Sequence, residues 1–252
     1  MKMCSKVDQT ATLSPQDNYF PEVLENCKEI CYNVENAKAK WRKPDEEVRI
    51  MAVTKTVPPE KVNFAVAQGF KLLGENRVQE AEGKRAGWPA ENKTPWHLIG
   101  HLQRNKARKA LAIFSVIESV DSLDLARMLD RILAETNAVP YVIYLEVNMS
   151  GEASKSGMAP TDAERILDQI RDYCPHLSVE GLMTIGPNVD DADSVRRSFV
   201  NLRELRERLR SSAGLALPEL SMGMSGDFEA AIEEGSTIVR VGTAIFGPRV
   251  YN

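Results

Sequence analysis

Metal-binding and redox-active side chains are scarce in this chain, which holds four cysteines and three histidines in 252 residues. Cys27 and Cys31 lie on one predicted helix with no nearby histidine or second cysteine pair, so no tetrahedral metal site can be completed. Together with Cys4 and Cys174 they read as reduced thiols, the first two on the apolar face of their helix. No apolar run approaches the ~20 residues needed to cross a bilayer. Residues 1–15 lack both the apolar core of a secretory signal and the arginine-rich pattern of a transit peptide. The cytoplasm is therefore the expected compartment, where the sequon Asn148-Met149-Ser150 has no meaning. Charge is nearly balanced at a net −4, which argues against a nucleic-acid surface. Nucleotide signatures are missing too. The loop 150–157 lacks P-loop spacing, and no GxGxxG follows a strand.

What is present is alternation. Short apolar runs at 48–54, 71–74, 97–100, 116–119, 141–147, 178–183, 220–222 and 238–241 predict strands. Helical patterns follow them at 58–68, 77–84, 105–112, 123–136, 161–173, 190–211 and 228–234, with a closing turn or short helix at 244–246. Prolines open the first of these helices, and Ser122 is placed to cap another. Eight units of roughly 25 residues each fit a single (β/α)8 barrel, an α/β fold, with the open doubly wound sheet as its rival. An additional helix is predicted over 16–41, where Phe20, Val23, Leu24, Cys27, Ile30, Cys31 and Val34 form a helical stripe. The expected organisation is a flexible segment 1–15 followed by one barrel domain, 16–252.

In such a barrel, the residues that end the strands share one rim. Lys55 closes the first strand, just before Thr56-Val57-Pro58-Pro59. It is either a solvated strand end or an amine held for Schiff-base chemistry, and the segment alone leaves both open. Ser221-Met222-Gly223-Met224-Ser225-Gly226 and Val241-Gly242-Thr243-Ala244 follow strands seven and eight, where barrels commonly cradle phosphate. The alternative is glycines serving tight turns. Arg240 lies inside an apolar strand and needs either a structural carboxylate or a ligand. Asn76 is a helix cap or a site amide. His97 reads as a satisfied core histidine and His101 as the one nearer the rim. Arg104, Lys106, Arg108 and Lys109 read as a solvated helix face, with a second phosphate-bearing partner as the weaker option. The loop 150–157, carrying Lys155, has the composition of a flap.

Several segments together carry a resemblance. Ala52-Val53-Thr54-Lys55-Thr56-Val57, Gly74-Glu75-Asn76-Arg77-Val78-Gln79-Glu80, Trp96-His97-Leu98-Ile99-Gly100-His101 and Gly181-Leu182-Met183-Thr184 are four of them. Ser221-Met222-Gly223-Met224-Ser225 and Val239-Arg240-Val241-Gly242-Thr243-Ala244 complete the set. The chain resembles the pyridoxal phosphate homeostasis protein family over about 48–247. The resemblance implies a TIM barrel of the fold-type III, alanine racemase N-terminal domain kind, with pyridoxal 5′-phosphate (PLP) held as a Schiff base on Lys55. It further implies phosphate binding by Ser225, Gly242 and Thr243, Arg240 at the pyridine nitrogen and Asn76 beside the ring. An arginine stays charged, so it does not favour the protonated ring that makes PLP a strong electron sink. Alanine racemases carry a further β domain that supplies an acid/base tyrosine, and a chain ending at Asn252 is expected to have no room for it. The implied role is PLP storage, protection and delivery to apo-enzymes by a monomer or weak dimer, without nucleic acid, membrane or metal. A racemase-like PLP enzyme is the alternative, and a cofactor-free Schiff-base lyase a third reading.

Overall fold

Buried aliphatic runs become strands here because both faces are covered, one by the barrel interior and one by helices. The computed structural model describes residues 19–89, 92–136, 140–152, 155–189 and 191–248. The predicted flexible segment 1–15 and Cys4 lie outside the described residues. The strands are β1 Arg49–Val53, β2 Leu73–Glu75, β3 Trp96–Leu98, β4 Val116–Val120, β5 Tyr141–Glu146, β6 Leu177–Met183, β7 Glu219–Ser221 and β8 Ile238–Val241. They pair in parallel in chain order, and β1 pairs β8 from Arg49↔Ile238 to Ala52↔Val241, closing a barrel. That last ladder excludes the open sheet.

The helices are α1 Pro21–Trp41, α2 Pro59–Ala67, α3 Val78–Ala86, α4 Ala107–Ile113, α5 Leu123–Ala134, α6 Ala163–Tyr173, α7 Ala192–Ala213, α8 Phe228–Glu233 and α9 Thr243–Phe246. Pro21 starts α1, so Tyr19 and Phe20 precede the helix that the apolar pattern extended back to 16. Its buried stripe, Val23, Cys27, Ile30, Val34 and Ala37, packs over α2, α8 and α9. Asn26 Nδ2 donates to the Ile245 carbonyl at 3.0 Å and Arg42 Nη1 to the Ser236 carbonyl at 2.8 Å. Thus α1 covers the seam where the first and last units meet. Ser122 caps α5 by accepting from Leu125 N–H. The basic helix opens with a 3₁₀ turn, Arg104–Lys106, before α4. The 244–246 segment resolves to helix α9, one residue longer.

Two layers of core result. One lies between strands and helices, anchored by Trp96, Leu129, Leu167 and Phe199. The other fills the barrel with Met51, Leu72, Ile99, Val116, Tyr144, Met183 and Ile238. Strand alternation puts Arg49, His97, Glu118, Glu146, Ser221 and Arg240 on that same inner surface.

Candidate functional site

A cavity of about 210 Å³ opens at the carboxyl ends of the strands. All six predicted site residues line it: Lys55, Asn76, Ser225, Arg240, Gly242 and Thr243. Val53, Ile99, Ile185 and Met224 supply apolar wall between them. The topology explains the convergence, because parallel strands deliver every strand end to one face.

Lys55 leaves β1 half-buried, its backbone fixed between a buried Thr54 and the exposed Thr56. Arg240 is 4% exposed and spends its N–H groups on neutral acceptors, Ser221 Oγ at 2.9 Å and the Thr184 carbonyl at 2.7 Å. Among the described residues no carboxylate is ion-paired with it. Burial lowers its pKa, against the opposing influence of Glu118, Asp227 and Glu146. A guanidinium nevertheless stays charged in proteins. Thr184 is itself held, its hydroxyl donating to the Val147 carbonyl at 2.7 Å.

Gly242 precedes α9, and a Cβ there would lie 3.3 Å from the Val53 carbonyl oxygen. Its lack of a side chain therefore lets β8 end against β1. Ser225 Oγ accepts from Ala244 N–H at 3.3 Å, which ties the two glycine-bearing loops together. Asn76 does not cap α3, since Arg77 occupies the cap position without a side-chain bond. Its Oδ1 is buried without a hydrogen-bond partner, and the residue lines the cavity.

Other rim residues have different duties. His97 Nδ1 meets Glu118 Oε1 at 2.6 Å inside the barrel, as expected of a core histidine. His101 is exposed, 3.8 Å from Asp121, and lines a neighbouring cleft of about 700 Å³. Asn148 braces its own loop, donating to the Glu152 carbonyl at 2.9 Å. Lys155 Nζ donates to the Gly186 carbonyl at 2.7 Å and pairs with Glu152 at 2.7 Å, beside Ile185 rather than in the cavity wall. Ala153 and Ser154 of that loop lie outside the described residues. Arg104, Arg108 and Lys109 pair with Asp124, Glu135 and Glu82, as a solvated helix face would.

Sequence reasoning missed the acidic residues beneath the cavity. Glu118 and Glu146 each keep one buried oxygen without a partner. Burial pushes the Glu146 carboxyl up to about 7, Asp121 adding to the rise and Arg240 opposing it. The signal was present, since both interrupt apolar strands just as Arg240 does.

The family model described as "Alanine racemase, N-terminal domain" matches residues 26–250. A pyridoxal phosphate homeostasis protein of Pseudomonas aeruginosa is 41% identical over 91% of this chain and 96% of its own length. The structure of PipY from Synechococcus elongatus PCC7942 with PLP bound superposes with a TM-score of 0.77 at 36% identity, covering 88% of this chain and all of that one. An alanine racemase of Clostridium difficile 630 shares the fold alone, with a TM-score of 0.72 at 15% identity over 91% of this chain and 61% of that chain. The chain therefore belongs to the alanine racemase N-terminal domain family and, within it, to the pyridoxal phosphate homeostasis proteins.

Proposed function

We propose that this protein binds PLP as a Schiff base on Lys55 and serves PLP homeostasis in the cytoplasm by storing the cofactor, shielding it and delivering it to apo-enzymes. One observation carries the reading: a primary amine, a buried guanidinium, two hydroxyls and an unpartnered amide oxygen line a single cavity of about 210 Å³. The donor set suits the group. Ser225 and Thr243 hydroxyls with the backbone at Gly242 would hold the phosphate, Arg240 the ring nitrogen and Asn76 the ring edge. When bound, PLP supplies an aldehyde that condenses with amines. Arg240 retains its proton, so the ring is held without being made a strong electron sink.

The cavity wall also bears on catalysis. Racemisation needs proton-transfer groups on both faces of the substrate carbon. Among the described residues lining the cavity, Lys55 is the one side chain suited to that work. Deuterium exchange at the α-carbon across a panel of amino acids would support the racemase-like alternative, and its absence counts against it.

The deciding measurement is the visible spectrum of the purified protein, followed by borohydride reduction and peptide mapping. A yellow protein labelled at Lys55, with the label lost in Lys55→Ala, is expected. A colourless protein that PLP cannot reconstitute would overturn the reading. Lys155 is proposed as a transient acceptor during transfer. Lys155→Ala should slow delivery several-fold with the Lys55 adduct intact, and unchanged transfer kinetics would remove that role.

A further inference from the structure

Lys55 and Thr56 are the central residues of a four-residue turn, closed by Val57 N–H donating to the Thr54 carbonyl at 2.9 Å and gripped on both sides of the lysine by the same helix. On one side, the Thr54 carbonyl accepts a hydrogen bond from Lys84 Nζ. On the other, Thr56 N–H donates to Glu80 Oε2 at 3.0 Å. Glu80 and Lys84 are one helical turn apart on α3, so they present side by side to the turn. Thr56 needs such a grip. Its φ of +62° is left-handed, a conformation that a β-branched residue holds only when its surroundings impose it.

The grip extends to Asn76. Lys84 is ion-paired with Glu75, and both are sealed, at 7% and 0% exposure. Glu75 Oε1 accepts from the Thr54 hydroxyl at 3.0 Å, while its Oε2 accepts from Asn76 N–H at 2.9 Å. One buried carboxylate thus ties the residue before Lys55 to another residue of the cavity wall. A buried ion pair is seldom the cheapest way to stabilise a fold, since its desolvation cost rivals its attraction. Here it adds a second bond to the Thr54 carbonyl and hydroxyl, which also meet Val57 N–H at 2.9 Å and the Gly74 carbonyl at 3.3 Å, and it takes up Asn76 N–H.

We propose that α3 is a positioning clamp for Lys55, with Lys84 and Glu75 as its fixed half and Glu80 as its releasable half. Glu80 differs from the other two in being reachable from solvent. It lines the cleft of about 700 Å³ beside the cavity, with Arg77 at 3.9 Å. Opening the Glu80 bond frees Thr56 from α3 and leaves the Val57 N–H bond to the Thr54 carbonyl as the closure of that flank, while Thr54 stays anchored. The lysine turn then loosens without the barrel unfolding. The inference rests on the reading that Lys55 carries the cofactor, and it places the control of retention in α3.

The test compares Glu80→Ala with Glu80→Gln, whose amide oxygen still accepts from Thr56 N–H. Amide hydrogen exchange over 54–57 is measured on the protein without cofactor, and PLP release into excess competing amine on the loaded protein. The alanine variant should exchange and release about fivefold faster, the worth of one net hydrogen bond. The glutamine variant should match wild type in both. An alanine variant with wild-type exchange overturns the clamp, as does a glutamine variant as loose as alanine. Faster exchange with unchanged release overturns the link to retention. A wild-type protein with no reducible adduct on Lys55 overturns the functional reading instead, and exchange still decides whether Glu80 holds the turn.

Discussion

A guanidinium buried at the end of β8 is tolerated because Ser221 and Thr184 satisfy its N–H groups and acidic side chains lie within electrostatic reach. Glu146 is one of those acidic groups, and burial outweighs the pull of Arg240 on it. Its carboxyl is pushed up to about 7 in the folded protein from an ordinary 4.5, chiefly by burial. A raised pKa means that the folded state binds the proton more tightly than the unfolded chain does. The resulting stabilisation is complete below about pH 4.5 and is lost as pH rises through about 7. Wild type should therefore lose up to about 3 kcal/mol more than Glu146→Gln between pH 5 and 8, read by urea denaturation. Equal pH slopes for the two proteins would show that Glu146 is not protonated in the folded state.

At the scale of elements, the turn from β7 into α8 shows how a glycine can serve the fold and the site together. Gly223 has φ +91°, and a Cβ there would lie 2.5 Å from the Ala231 Cβ and 3.1 Å from the Phe228 Cα. Its carbonyl accepts from Arg240 N–H at 2.9 Å, so the turn also helps to place the strand that carries Arg240. Gly223→Ala should cost about 2–4 kcal/mol through strain and overpacking. It should also weaken PLP binding by displacing Ser225. Gly226 has no neighbour within 4 Å of its would-be Cβ, so Gly226→Ala should leave stability within about 0.5 kcal/mol of wild type. Paired unfolding and binding titrations check both. Gly223 thus takes a turn conformation that a side chain would strain, and Gly242 sits where the strands approach closely.

For the whole molecule, the unit count was legible because each unit couples an apolar run to a helical pattern through turn residues. Strand boundaries moved by a residue or two in both directions because the hydrogen-bond ladder does not start and stop with the apolar run. The run 48–54 ladders only as Arg49–Val53, and 97–100 contributes Trp96–Leu98. Of the residues that line the cavity, Lys55, Asn76, Ser225, Arg240, Gly242 and Thr243 were legible as polar or glycine positions at or just after strand ends. Glu75, Lys84 and Glu80 were not, because the groups they meet, one another's charges, the Thr54 hydroxyl and backbone atoms, are brought close only by the packing of α3 on β1 and β2. Among the described residues no helix is long and apolar enough to cross a membrane.

Periodicity and turn chemistry along the chain were enough to establish an alternating α/β domain and to put Lys55 at a strand end, since both depend on near neighbours. Closure did not follow from them. The same eight units could form an open sheet until Arg49 to Ala52 paired with Ile238 to Val241, residues about three quarters of the chain apart. That pairing brings Arg240 and Gly242 beside Lys55 and makes separate strand ends into one cavity. Which acceptors satisfy Arg240, and which helix grips the lysine turn, were likewise decided by tertiary contact. Burial and desolvation depend on what surrounds a residue in space, and a chain read in order does not contain them.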